Sequence, residues 1–192
     1  MNRRQSIQRI TRLGILMGLI ILMTFIPNIG YIQTGLFSIT TIHIPVLIGA
    51  ALMGPIGGLV LGLTWGLTSY FYALTLGTIE AMIFLNPMVS IVPRVLVGLI
   101  VSYTTMALDK VNMKEVLKYG LVAGIGTLSN TVLVLSSIFI FASEGVLSFN
   151  QAFSTIITII ISTNGLLELF AAVIIVPAVV KAIRKISPQR NS

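Results

Sequence analysis

The stretch TTIHIPVLIGAALMGPIGGLVLGLTWGLTSYF (residues 40–71) holds the only histidine and the only tryptophan of the chain and not one formal charge. Gly54-Pro55, followed by Gly57-Gly58, marks a tight turn inside it. The stretch therefore reads as two consecutive membrane helices, near 42–54 and 56–76. The first is short for a complete span and is expected to lie tilted or partly buried against its neighbours.

Composition extends that reading outward. With 56% hydrophobic and 9% charged residues, the chain has lipid as its main solvent. Its 192 residues accommodate about six spans of roughly 20 residues each and leave no room for a separate soluble domain. Apolar runs fall near 10–27, 42–54, 56–76, 87–108, 117–142 and 152–181, in a single transmembrane domain over 1–192. The segment NIGYIQTGLFSIT (28–40) is too polar and glycine-broken for a span and reads as a partly extended loop. The expected fold class is an all-α integral membrane protein with six transmembrane helices. Arg3, Arg4, Arg9 and Arg12 precede the first run as in a signal sequence, but Pro27-Asn28-Ile29 lacks a small-x-small cleavage pattern, so an anchored helix is expected.

Lysine and arginine set the orientation. They gather before the first helix, between helices four and five (Lys110, Lys114, Lys118) and at the end (Lys181, Arg184, Lys185, Arg190), whereas 28–41, 77–86 and 143–151 contain none. An even number of spans puts all three clusters on one side, so both termini are expected in the cytoplasm. The +7 net charge then reflects topology and anionic lipid headgroups rather than nucleic acid.

Glycine carries a second pattern: Gly54, Gly58, Gly62 and Gly66 recur every fourth residue, and Gly14 and Gly18 repeat the spacing in helix one. Such a ridge lets another backbone approach closely. The ridge of the third helix is read as packing inside the chain.

Few polar residues interrupt the spans. Arg94 lies inside helix four, where a charge costs ~2.5–3.5 kcal/mol even on the gentler insertion scale. Glu168 and Asn164 share one face of helix six, and Asn130 falls near the middle of helix five. Two readings stand: an Arg94–Glu168 pair with the asparagines as interhelical glue, or a polar pocket opening outward. Trp65 is mid-helix, with Ser69 and Tyr72 following on a similar face, and serves either as a cavity wall or as core packing. Tyr70, Phe71 and Tyr72 suit an interfacial belt.

Several chemistries are excluded. The chain has no cysteine, a single histidine, no Gly-x-x-x-x-Gly-Lys-Ser/Thr and no Gly-x-Ser-x-Gly. Neither metal nor cofactor is expected, and binding or transport remains.

The stretch at 40–69, then NPMVSIVPRVLVGL (86–99) and TNGLLELFAAVIIVPAVVKAIRK (163–185), together resemble the substrate-binding S components of energy-coupling factor (ECF) vitamin transporters, in the order of helices and over nearly the whole chain. The resemblance implies a six-helix protein of the bacterial cytoplasmic membrane that captures a scarce vitamin outside. It implies docking on a membrane coupling subunit that carries two ATPases, which fits the missing P-loop. The family's small-residue face on helix one, usually Ala-x-x-x-Ala, is represented by Gly14 and Gly18, so partner docking is expected there. Substrate-binding positions expected from the residues and the resemblance together are His43, Trp65, Asn86, Arg94, Asn130, Asn164 and Glu168.

His43 lies where the outer loop enters helix two, either as a hydrogen-bonding group at the rim of the vitamin site or as a cap of that helix; Pro45 fits a first helical turn. Pantothenate is the expected vitamin: Arg94 suits its carboxylate, and Asn130 and Asn164 can meet its amide and hydroxyls. Pyridoxine, a hydroxymethylpyrimidine or riboflavin would instead stack on Trp65. The competing classes are a self-sufficient secondary transporter, which should show inverted repeats that residues 1–96 and 97–192 lack, and a purely structural membrane subunit.

Overall fold

A computed structural model describes residues 3–33, 38–76, 79–141 and 163–186. Helix α1 (Arg3–Phe25) leads to a short antiparallel hairpin, β1 (Tyr31–Gln33) and β2 (Ser38–Thr40), then to α2 (His43–Thr75), α3 (Ile79–Phe84), α4 (Pro87–Ser90), α5 (Val92–Leu108), α6 (Glu115–Phe141) and α7 (Thr163–Ile186). The helical membrane fold is thus as expected, and the extended part of the 28–40 loop is the hairpin. The expected start of the last span, 152–162, lies outside the described residues.

α2 decides the architecture. A straight helix of its 33 residues would run about 50 Å, well beyond a ~30 Å hydrocarbon core. It does not run straight: Gly54 leaves helical geometry at φ 69°, ψ −165°, a region open to glycine, and Pro55 starts the next limb with a fixed φ and no N–H to satisfy. The second limb folds back along the first, so that a side chain at Gly49 would collide with Leu61. The limbs are the two expected helices. The first limb is short because it needs no lipid face: every residue from His43 to Ala51 is buried.

α1 runs alongside this pair. Arg9 Nη2 donates to Met53 O (2.9 Å), the carbonyl that precedes the Gly54 break, and Thr24 Oγ1 donates to Thr68 Oγ1 (3.2 Å) at the opposite end. The glycine ridge then selects α5. A methyl at Gly58 would strike Gly98 O, one at Gly98 would strike Gly58 O, and one at Gly62 would lie 2.5 Å from Arg94 O. Lipid gives helices no hydrophobic reason to associate, so this backbone contact and its dispersion energy hold α2 to α5. Gly54, the fourth member of the expected ridge, faces open space and serves the turn instead.

α6 and α7 close the bundle around Ile20, Leu47, Leu61, Val97, Val122 and Val176. At the Gly54 end, Lys118 pairs with Asp109 (2.6 Å) and Arg184 with Glu115 (2.9 Å), and both cations lie over the ring of Tyr119. Arg9, Lys118 and Arg184 therefore share one end of the described bundle.

Candidate functional site

The site is at the other end, below the hairpin, and the VSIVPR segment shapes it. Pro93 has no N–H, so the carbonyl four residues earlier, that of Val89, has no helical donor. The bond is replaced by a side chain: Arg94 Nη1 donates to Val89 O at 2.6 Å. The same sequence thus divides the fourth span into α4 and α5 and directs the arginine inward. Asn86 is used locally, its Oδ1 accepting from Met88 N (2.9 Å) to cap α4.

Arg94 is 5% exposed. Its guanidinium carbon lies 5.3 Å from the centroid of the Trp65 ring and 4.8 Å from that of Phe84. Aromatic faces attract a desolvated cation by about 2 kcal/mol, less than removal from water costs. No ion pair joins Arg94 to Glu168 among the described residues, and Arg94 Nε is buried without a hydrogen-bond partner there. The expected alternative of an Arg94–Glu168 pair is overturned for a geometric reason: Glu168 Oε1 accepts the main-chain N–H of Thr40 in β2. Glu168 and Tyr31 are nevertheless close enough to interact electrostatically with the guanidinium.

Trp65 is fully buried and its Nε1 has no partner among the described residues. His43 lies 6.5 Å away, ring to ring, and is 1% exposed, deeper than a rim position. The capping alternative is also overturned: Ile42 precedes the helix, no side chain caps it, and His43 occupies the first turn. The Thr40 main chain lies beside the imidazole, yet neither ring nitrogen has a partner at hydrogen-bonding geometry.

α6 adds Thr127 and Asn130, whose Oγ1 and Oδ1 are buried and unpaired among the described residues. Their level follows from packing: Gly126 meets Leu47 and Val101, and His43 and Asn130 each lie one turn from that layer toward the hairpin. His43, Trp65, Arg94 and Asn130 are thus brought to one end of the bundle from α2, α5 and α6. Asn164 opens α7, but its side chain lies outside the described residues.

Each unpaired buried polar group costs about 1–3 kcal/mol, so a cluster of them is stable only with something to satisfy it. The inventory is specific. Arg94 Nε and Trp65 Nε1 are donors, Asn130 Oδ1 is an acceptor, and a neutral imidazole offers one of each. The complement is a small molecule with an anionic or strongly accepting end and several hydroxyl or amide groups.

Two contributors were not anticipated from the sequence. Phe84 supplies the second face to Arg94. Tyr31 stacks on Tyr72 at 4.9 Å and shares a 2.8 Å hydrogen bond with Ser69 Oγ. Tyr72 therefore holds the hairpin rather than joining an interfacial belt, while Phe71 remains 53% exposed. An aromatic residue stranded in a glycine-broken polar loop is the signal that could have found Tyr31; Phe84 carries none.

Comparison with known proteins identifies the family. A family model described as ECF transporter, substrate-specific component, matches residues 8–180. The pantothenic acid transporter PanT of Lactococcus lactis subsp. cremoris (strain MG1363) is 33% identical over 160 residues, 76% of this chain and 78% of that protein. The pantothenate transporter PanT of Leuconostoc mesenteroides subsp. mesenteroides is 35% identical over 123 residues, 60% of each chain.

Proposed function

The chain belongs to the substrate-specific components of ECF transporters, and on that premise we propose that it captures pantothenate outside the cell for an ATP-driven importer. The observation that carries this reading is Arg94: a buried cation with an unpaired Nε and no carboxylate at ion-pair distance among the described residues. Pantothenate supplies a carboxylate for Arg94 and Trp65, and its amide and hydroxyls satisfy His43 and Asn130. Both named relatives are pantothenate transporters. An aromatic vitamin would need the Trp65 face that the guanidinium already occupies.

The end bearing Arg9, Lys118 and Arg184 faces the cytoplasm, because positive residues are retained there, and the hairpin end faces outward. Energy comes from elsewhere, since the chain has no P-loop. The coupling subunit, with its two ATPases, docks on α1, where Ile7, Ile10, Ile21 and Phe25 are exposed on the same face as Gly14 and Gly18. A Cβ added at either glycine meets nothing within 4 Å among the described residues. Leucine at both positions is therefore expected to leave folding and pantothenate binding unchanged while abolishing uptake with the full complex, measured by transport in proteoliposomes.

Mass spectrometry of small molecules that co-purify with the protein tests the ligand, with pantothenate expected. Proteoliposomes test the mechanism: accumulation should require the coupling subunit, both ATPases and ATP. Accumulation by this chain alone would establish a secondary transporter instead.

A further inference from the structure

The hairpin is tied to the bundle at two points that are register partners. Tyr31 in β1 pairs with Thr40 in β2. Tyr31 is fixed to α2 by its stack on Tyr72 and its hydrogen bond to Ser69, and Thr40 is fixed to α7 by donating its N–H to Glu168. The chain flanking this pair is held as well: Thr41 N donates to Gly30 O (2.9 Å), and a side chain at Gly30 would collide with Met23 O and Ile42. One cross-strand pair thus bridges α2 and α7 at the end of the bundle that holds Arg94, His43 and Trp65.

The two ties differ in kind. The α2 tie combines an aromatic stack with a hydroxyl bond, and the α7 tie is one charge-assisted bond from a main-chain amide to a carboxylate. Thr40 N–H points out of the hairpin ladder, so releasing it breaks no strand pairing. Among the described residues one hydrogen bond joins β2 to α7, so opening the bridge on that side breaks one such bond. We propose that Glu168 is a positioning residue rather than a ligand contact: its carboxylate latches β2 across the site and sets how long a bound solute is retained. The ligand in this inference rests on the preceding reading; the latch itself does not.

Three variants test it. Glu168→Ala removes the acceptor, Glu168→Gln keeps an acceptor oxygen without the charge, and Thr40→Pro removes the donor while leaving the charge. With radiolabelled pantothenate on the purified protein in nanodiscs, E168A and T40P are expected to raise koff about tenfold, the loss of one charge-assisted hydrogen bond. The on-rate should change less than koff, since variants of one binding surface differ mostly in dissociation, and E168Q should restore slow release. If E168A and E168Q change affinity alike while T40P matches the parent, Glu168 acts through its charge on Arg94 or on the ligand, and the latch is refuted. Amide exchange decides independently of the ligand: the peptide containing Thr40 should exchange faster in ligand-free E168A than in the parent or E168Q. Equal exchange in the three would overturn the inference even if pantothenate binds, and should E168A fail to fold, T40P and E168Q still discriminate.

Discussion

Arg94→Gln is expected to weaken pantothenate binding by about 100-fold or more, the size expected when a buried charge-assisted contact to a carboxylate is lost. The same variant should lose far less affinity for pantothenol, in which an alcohol replaces the carboxylate, so that preference for the anion collapses. Isothermal titration of both compounds against parent and variant measures this. The stability of the ligand-free protein should move the other way. Arg94 is a buried cation with no carboxylate at ion-pair distance among the described residues, and its Nε is unpaired; a neutral glutamine removes that desolvation cost. Arg94→Gln should therefore melt above the parent in the absence of ligand and gain less from added pantothenate. Lysine is no conservative replacement, because it lacks the planar fork that places one nitrogen on Val89 O and another toward the site.

Gly62→Ala should damage both the bundle and the site. Its methyl would lie 2.5 Å from Arg94 O and 3.0 Å from Val95 Cα, both backbone atoms that cannot turn aside. Only separation of α2 from α5 relieves the clash, and overpacking of this kind costs about 1–3 kcal/mol. Because Trp65 and Arg94 lie on the two helices so displaced, their cation–π contact should suffer too. The expected result is a lower melting temperature together with weaker pantothenate binding. Gly14→Ala is the control: a methyl there meets nothing, so both quantities should match the parent.

Much of the bundle was legible because its determinants are local. Gly54-Pro55 fixes the turn of α2 by backbone geometry alone, and the spacing of Gly58, Gly62 and Gly66 fixes which face is thin. That the thin face meets α5 was not legible, since a ridge does not name its partner. The site was legible as a set of intramembrane polar residues but not as a network. An Arg–Glu pair was a sound expectation from charge, and it failed because two backbone groups competed for the side chains. The orphan carbonyl of Val89 took the arginine, and the outward N–H of Thr40 took the glutamate. The first competitor is written in Val-Pro-Arg, where proline frees a carbonyl within reach of the next side chain. The second depends on a hairpin meeting a helix 128 residues away, which no local pattern encodes.

Because Trp65 is the only tryptophan and stands against Arg94, its emission reports on the site alone. The decisive measurement is a titration of the purified protein with pantothenate, followed by tryptophan fluorescence and by calorimetry in parallel. A saturable change in Trp65 emission is predicted, with the same single-site midpoint as the heat and with pantothenol far weaker. Heat of binding without any change in emission would place the ligand elsewhere, and the absence of both signals would contradict pantothenate capture by this chain.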